Sequence, residues 1–188
     1  MNAVVTKWAF YDPTVKKRLF RWTTYSLIVF VVTMVVGLRF GQYYTIGKNA
    51  TESLPQSYFL VIKGEMPVLG DYVKFLMPDT RYYRKDMPAV KVIRGVAGDV
   101  VTVDADRNFY INGEFIVKSK EWSLAGHRLD VGPTGVIPEG HYFVATPHVD
   151  GYDSRYNDIG WIPEERIVGR ATPEFNLKEI VARMIHDL

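Results

Sequence analysis

Apolar positions along this chain fall into three regimes. From Trp22 to Leu38 they are almost continuous and carry no charge, with a centre reading Leu27-Ile28-Val29-Phe30-Val31-Val32-Thr33-Met34-Val35-Val36. As a helix, this run spans about 25 Å, slightly short of a hydrocarbon core of about 30 Å. Arg21 and Arg39 can snorkel to the two interfaces, and Trp22, Tyr25, Tyr43 and Tyr44 suit interfacial belts that lengthen the span. The pattern predicts a transmembrane helix over residues 22–39. A buried core helix would be expected to show a polar face, which this run lacks. A cleaved signal peptide would call for a small-residue site before Arg39, and none is present.

Beyond residue 40 the pattern changes to short runs rich in Val, Ile, Tyr and Phe, separated by Gly, Pro and Asp. Tyr58–Ile62, Tyr72–Met77, Ala89–Val96, Val100–Val103, Phe109–Ile111, Tyr142–Ala145 and Arg166–Arg170 read as strands. Asn112-Gly113, set between Phe109–Ile111 and Phe115–Val117, is a two-residue hairpin signal. Short, closely spaced strands predict a small all-β sandwich or barrel rather than alternating βαβ units. Pro78–Pro88 and Gly126–Gly140 read as loops. Near the end, Leu177, Ile180, Val181, Met184, Ile185 and Leu188 recur at helical spacing behind Asn176, a plausible N-cap. That stripe is expected to pack on its own domain. The fold class is therefore mainly β: one N-terminal transmembrane helix, a small all-β domain over residues 40–188, and a short C-terminal helix.

Charge orients this arrangement. Lys7, Lys16, Lys17, Arg18 and Arg21 against Asp12 give residues 1–21 a charge of +4, which leaves −2 for the rest of a chain whose total is +2. The positive-inside rule then puts residues 1–21 in the cytoplasm and the β-rich part outside. The absence of cysteine excludes a disulfide framework, a cysteine nucleophile and thiolate metal sites. The four histidines, His127, His141, His148 and His186, never form an i,i+4 pair, which argues against a helical zinc motif. A net charge this small does not support bulk nucleic-acid binding.

Two segments carry candidate chemistry. In Asn49-Ala50-Thr51-Glu52-Ser53-Leu54-Pro55, Pro55 constrains the backbone just after a potential nucleophile, Ser53. If the segment is extended, Thr51 points its hydroxyl to the same side as Ser53. In Ala89-Val90-Lys91-Val92-Ile93-Arg94-Gly95-Val96-Ala97-Gly98-Asp99, a lysine interrupts an apolar strand, where burial is costly unless the amine is neutral or paired. Taken alone, each has a plainer reading: solvated hydroxyls after a membrane segment, and a lysine on the wet face of an edge strand.

Together with the topology, these segments resemble the type I signal peptidases, a family of membrane-anchored serine–lysine proteases. The resemblance rests on Ser53-x-Pro55 shortly after the anchor, on the Lys91, Gly95, Gly98, Asp99 pattern, on Asp153-Ser154-Arg155 followed by Gly160 and Pro163, and on Gly169-Arg170-Ala171. These elements and the anchor occur in the family's order across residues 22–171. Asn-Ala-Thr-x-Ser-Leu-Pro is most similar to the conjugative-transfer branch, the TraF-type peptidases that process pilin precursors and in some members cyclise them. Some departures are visible. Ala97 replaces a common proline and Val92 a common arginine, and Asn157-Asp158-Ile159 lengthens a short spacer. Gly151 stands where some relatives carry a serine that orients the lysine.

The resemblance implies an acyl-enzyme mechanism in which Ser53 attacks the scissile carbonyl and Lys91, neutral through burial, takes its proton. The Ser53 backbone N–H and the Thr51 hydroxyl would form the oxyanion hole, and Leu54 and Pro55 would meet substrate. Gly95, Gly98, Asp99, Asp153, Ser154 and Arg155 would serve as structural support, with Gly95 and Gly98 at turns. No cofactor or metal is implied. The implied partners are membrane lipid, a pilin-like precursor and proteins of a conjugation or secretion apparatus, and the implied location is a bacterial inner membrane with the catalytic domain on the periplasmic side. General signal peptidase activity is one alternative. A bitopic structural component with a silent β-domain is another.

Overall fold

The computed structural model describes residues 13–48, 53–173, 175 and 177–186. The chain divides into two compact units, Met1–Gln42 and Tyr43–Leu188. The first holds most of helix α1, Pro13–Tyr43, whose start extends well before the expected span. The extension has a local cause: proline suits a first helical turn, and no breaker stands between Pro13 and Trp22. No residue of α1 is buried, and Leu27, Val29, Phe30 and Val32 are all more than half exposed. Among the described residues, α1 is the one helix long and apolar enough to cross a membrane. The Thr23 and Thr24 hydroxyls donate to the Phe20 carbonyl, and Thr33 donates to Val29, so these polar groups are satisfied within the helix.

The second unit is built from antiparallel strands: β1 (Tyr44–Lys48), β2 (Tyr58–Lys63), β3 (Tyr72–Leu76), β4 (Pro88–Gly95), β5 (Val100–Val103), β6 (Asn108–Ile111), β7 (Glu114–Lys118), β8 (Gly135–Val136), β9 (His141–Ala145), β10 (Ile162–Pro163) and β11 (Ile167–Thr172). They form a seven-stranded sheet in the order β1-β2-β11-β3-β4-β9-β10 and a four-stranded sheet in the order β7-β6-β5-β8. Alternation along the strands sorts side chains into separate cores. Val73, Phe75, Ile93 and Val144 share one, and Leu54, Phe59, Val61, Val90, Val92 and Ala171 another. A third joins Val101, Phe109, Ile111 and Val117 of the smaller sheet to Phe143 and Ala145 of β9. The Asn112-Gly113 hairpin forms with φ of 50° and 83°, the left-handed pair that a tight two-residue turn needs.

Three expectations need correcting. Tyr44 does not extend the apolar span: it opens β1, pairs with Ile62 and is 2% exposed, because its ring finds more cover on the sheet than on a helix. Gly126–Gly140 is not wholly loop, since Gly135–Val136 pairs with β5 and Val131 bridges to Tyr156. The C-terminal helix, α2 (Leu177–His186), does form, but Leu177, Val181 and Ile185 are exposed and only Ile180 and Met184 are partly covered. Helical spacing identifies an apolar face without saying what lies against it. Asn176 and Leu188 fall outside the described residues.

Gly169 is the tightest point of the larger sheet. β11 pairs with β2 on one side and β3 on the other, with a register shift beside Gly169 on the β3 side. A Cβ at Gly169 would lie 1.9 Å from the Ile62 carbonyl oxygen, so any side chain forces the two backbones apart. Gly169→Ala is expected to destabilise the folded domain by more than about 2 kcal/mol. Denaturant unfolding of the full chain in detergent, followed by near-ultraviolet circular dichroism, measures this.

Candidate active site

Lys91 sits in the middle of β4, with β3 on one side and β9 on the other. Its register partner on β3 is Val73, and the next residue of β4 on the same face is Ile93; both are fully buried. Lys91 is itself only 6% exposed. Burial lowers its pKa from the ordinary lysine value, because the ammonium form loses hydration that apolar neighbours do not replace. The Asp153 carboxylate opposes that shift, and the Arg155 guanidinium adds to it. The plainer reading, a lysine on a wet edge strand, does not apply: β4 is internal to the sheet and the side chain is buried.

Ser53 lies in the turn before β2 and is 7% exposed. The next side chain, Leu54, belongs to the same core cluster as Val90 and Val92, the residues on either side of Lys91. That packing ties the Ser53 turn to the lysine strand. The Leu54 side chain is itself only 6% exposed and lies in that core. An apolar side chain in a turn beside a sheet gains more from that burial than from solvent. Pro55 is exposed, and Thr51 lies outside the described residues.

Asp153, Ser154 and Arg155 form a fully buried clamp. Arg155 Nε donates to Asp153 Oδ1 at 2.7 Å and Nη2 to Oδ2 at 2.8 Å, a bidentate pair. Nη2 also reaches the carbonyls of Thr146 and His148, and Nη1 that of Lys118, so every guanidinium nitrogen has an acceptor. Ser154 Oγ accepts from the Val144 N–H at 3.0 Å, fastening this loop to β9. Asp153 Oδ2 also accepts from the Thr146 N–H at 3.1 Å and from its hydroxyl at 3.5 Å. Thr146 carries no motif in the sequence, and its only signal is a polar residue just past an apolar strand.

The glycines of the lysine segment differ in use. Gly98 has φ of 91° and makes a turn that Asp99 closes by accepting from the Val96 N–H. Gly95 lies within β4 instead of at a turn, and a Cβ there would meet Ile137 at 2.8 Å and Ile111 at 3.0 Å. Its small size lets the two sheets approach. Beside the clamp is a cavity of about 260 Å³ whose walls include Tyr82, Tyr83, Gly151, Tyr152 and Tyr156.

A helix with a bare apolar surface and an antiparallel β-domain holding a buried lysine beside a buried Asp–Arg pair define a particular class of protein. The sequence profile described as "Signal peptidase, peptidase S26" matches residues 19–175, and the chain belongs to that family. It is similar to a "Signal peptidase I" of Pseudomonas fluorescens, at 28% identity over 59% of this chain and 50% of that protein, so the chain spans about half the length of this relative. It is also similar to the crystal structure of a signal peptidase I from Enterococcus faecalis V583, at 24% identity over 57% of this chain and 98% of that one, with a TM-score of 0.37.

Removing one member of a buried ion pair leaves the other charged and unsolvated. Arg155→Met is therefore expected to cost about 3–5 kcal/mol of stability. Ser154→Ala, which leaves the Val144 N–H without its acceptor, is expected to cost about 1–3 kcal/mol. Thermal unfolding of the purified full chain ranks the two.

Proposed function

We propose that this chain is a membrane-anchored serine endopeptidase in which Ser53 is the nucleophile and Lys91 the general base. The observation that carries this reading is an internal-strand lysine held in an apolar setting that lowers its pKa, with the Ser53 turn packed on the same strand through Leu54. In the proposed reaction, Ser53 Oγ adds to the scissile carbonyl carbon while the neutral Lys91 amine accepts the hydroxyl proton. The resulting ammonium then protonates the leaving nitrogen. Water, deprotonated by the same amine, adds to the acyl-enzyme and releases the product acid and Ser53. The Ser53 backbone N–H and the Thr51 hydroxyl stabilise the oxyanion. Asp153 and Arg155 hold the loop beside Lys91 and balance its charge environment.

The helix α1 crosses the bacterial inner membrane, with residues 1–21 in the cytoplasm and residues 40–188 on the periplasmic side. Its apolar, unburied surface and the basic cluster before it support that topology. A precursor held in the same membrane meets the enzyme in a confined volume, which raises its effective concentration. The substrate class is an exported precursor bearing a signal or leader segment. Within that class, the Asn49–Pro55 pattern favours a conjugative pilin precursor, with hydrolysis or ring closure as the final step.

Full-length protein reconstituted with purified precursors tests this reading. Ser53→Ala and Lys91→Met are each expected to lower cleavage by at least about 10³-fold. Continued processing by both variants would leave a structural role as the answer. A panel of unrelated signal-peptide precursors separates a pilin-specific enzyme from a general signal peptidase, and mass spectrometry separates hydrolysis from cyclisation by one water.

The pH dependence has a defined sign. Only neutral Lys91 accepts a proton, so kcat/KM is expected to rise with pH through the depressed lysine pKa. It should reach its plateau below the pH at which an ordinary lysine, pKa about 10.4, deprotonates. A profile rising only with an ordinary lysine pKa would count against Lys91 as the base.

A further inference from the structure

A neutral amine on a long, flexible stem needs a partner to aim its lone pair. The β4–β9 register identifies one. Ile93 pairs with Val144 and Val92 with Ala145; continued by one residue, the register sets Thr146 opposite Lys91. Cross-strand partners project on the same face of a sheet, so these two side chains emerge side by side. The Thr146 side chain is buried, and the residue is 1% exposed. Its backbone N–H is taken by Asp153 Oδ2, and its hydroxyl lies 3.5 Å from the same oxygen. Asp153 in turn acts electrostatically on Lys91.

Gly151 adds a second geometric observation. A Cβ built there would lie 2.6 Å from Thr146 Oγ1, 2.5 Å from Arg155 Nη2 and 3.0 Å from Asp153 Oδ2. The volume that a side chain at position 151 would enter is thus already occupied, in part by a hydroxyl supplied from position 146. We propose that Thr146 is a positioning residue for Lys91: its Oγ1 accepts an N–H from the amine and donates its own proton to Asp153, turning the amine lone pair toward Ser53. This inference rests on the Ser53–Lys91 reading above and deepens it. Asp153 and Arg155 are the charged groups facing the amine from the loop after β9, while Val73 and Ile93 cover it from β3 and β4.

The test is a pH series on the full-length protein in proteoliposomes, with a purified precursor that the wild-type protein cleaves, pilin or secretory, as substrate. Thr146→Val keeps the shape and the backbone N–H but removes the hydroxyl. A group that merely tuned the amine would shift the pH profile and leave the high-pH plateau intact. A positioning group lowers the plateau itself, where Lys91 is already neutral. The expected result for Thr146→Val is a plateau kcat reduced about 10- to 100-fold with KM within about twofold, and recovery to within about threefold in Thr146→Ser. A plateau at the wild-type value in Thr146→Val, or no recovery with Ser, overturns the proposal. Should thermal unfolding show that the valine variant does not fold, Thr146→Ala takes its place with the same two outcomes. Cleavage surviving in Ser53→Ala and Lys91→Met would sink the parent reading instead. Loss in those two variants alongside a wild-type plateau in Thr146→Val would sink this inference alone.

Discussion

Burying one ammonium-bearing side chain in the middle of a β-sheet is the constraint around which this domain is organised. A lysine inside β4 loses hydration that no apolar neighbour restores, and the protein answers in two ways. Val73 and Ile93 keep the surroundings apolar, which favours the neutral amine. The Asp153 carboxylate limits how far that preference goes, while its own charge is held by the bidentate contact with Arg155. The fold disfavours the charged amine without leaving the Asp153 carboxylate or the Arg155 guanidinium unpaired in the interior.

The rest of the molecule can be traced from that requirement. β4 lies between β3 and β9, so the lysine strand has no open edge to water. β9 contributes to a core shared with the smaller sheet, and Gly95 lets that sheet come close. The loop after β9 returns to the strand through reciprocal bonds, Ser154 N–H to the Val144 carbonyl and Val144 N–H to Ser154 Oγ, and so holds Asp153 within electrostatic reach of the amine. On the opposite face of β4, Leu54 joins Val90 and Val92, which brings the Ser53 turn onto the same strand. Membership of the peptidase S26 family fits this architecture, since the matched residues 19–175 cover most of the helix and all the strands named above.

Much of the fold is legible in the residues because its elements are local. The long uncharged run forms one helix, and seven apolar runs bounded by Gly, Pro and Asp form strands within one or two residues of their expected limits. β8 and β10 escape such reading because two residues carry no periodicity, and both exist only through their partners on β5 and β9. β1 escapes it for another reason. Tyr44–Lys48 directly follows an apolar helix, and the assignment of its tyrosine to a membrane interface or to a sheet depends on β2, which lies ten residues further on.

At the candidate site the division is sharper. The sequence by itself determined the chemical inventory: one lysine in an apolar strand, a serine held next to a proline, an Asp-Ser-Arg block and no thiol. Only the tertiary structure decided that the lysine is buried, that Leu54 belongs to the core, and that Asp153 and Arg155 pair within electrostatic reach of the amine. It likewise decided that Thr146, which no motif marks, is buried and bonded to Asp153. The physical reason is that residue type and spacing act along the chain, whereas desolvation and cross-strand register depend on segments that meet only after folding.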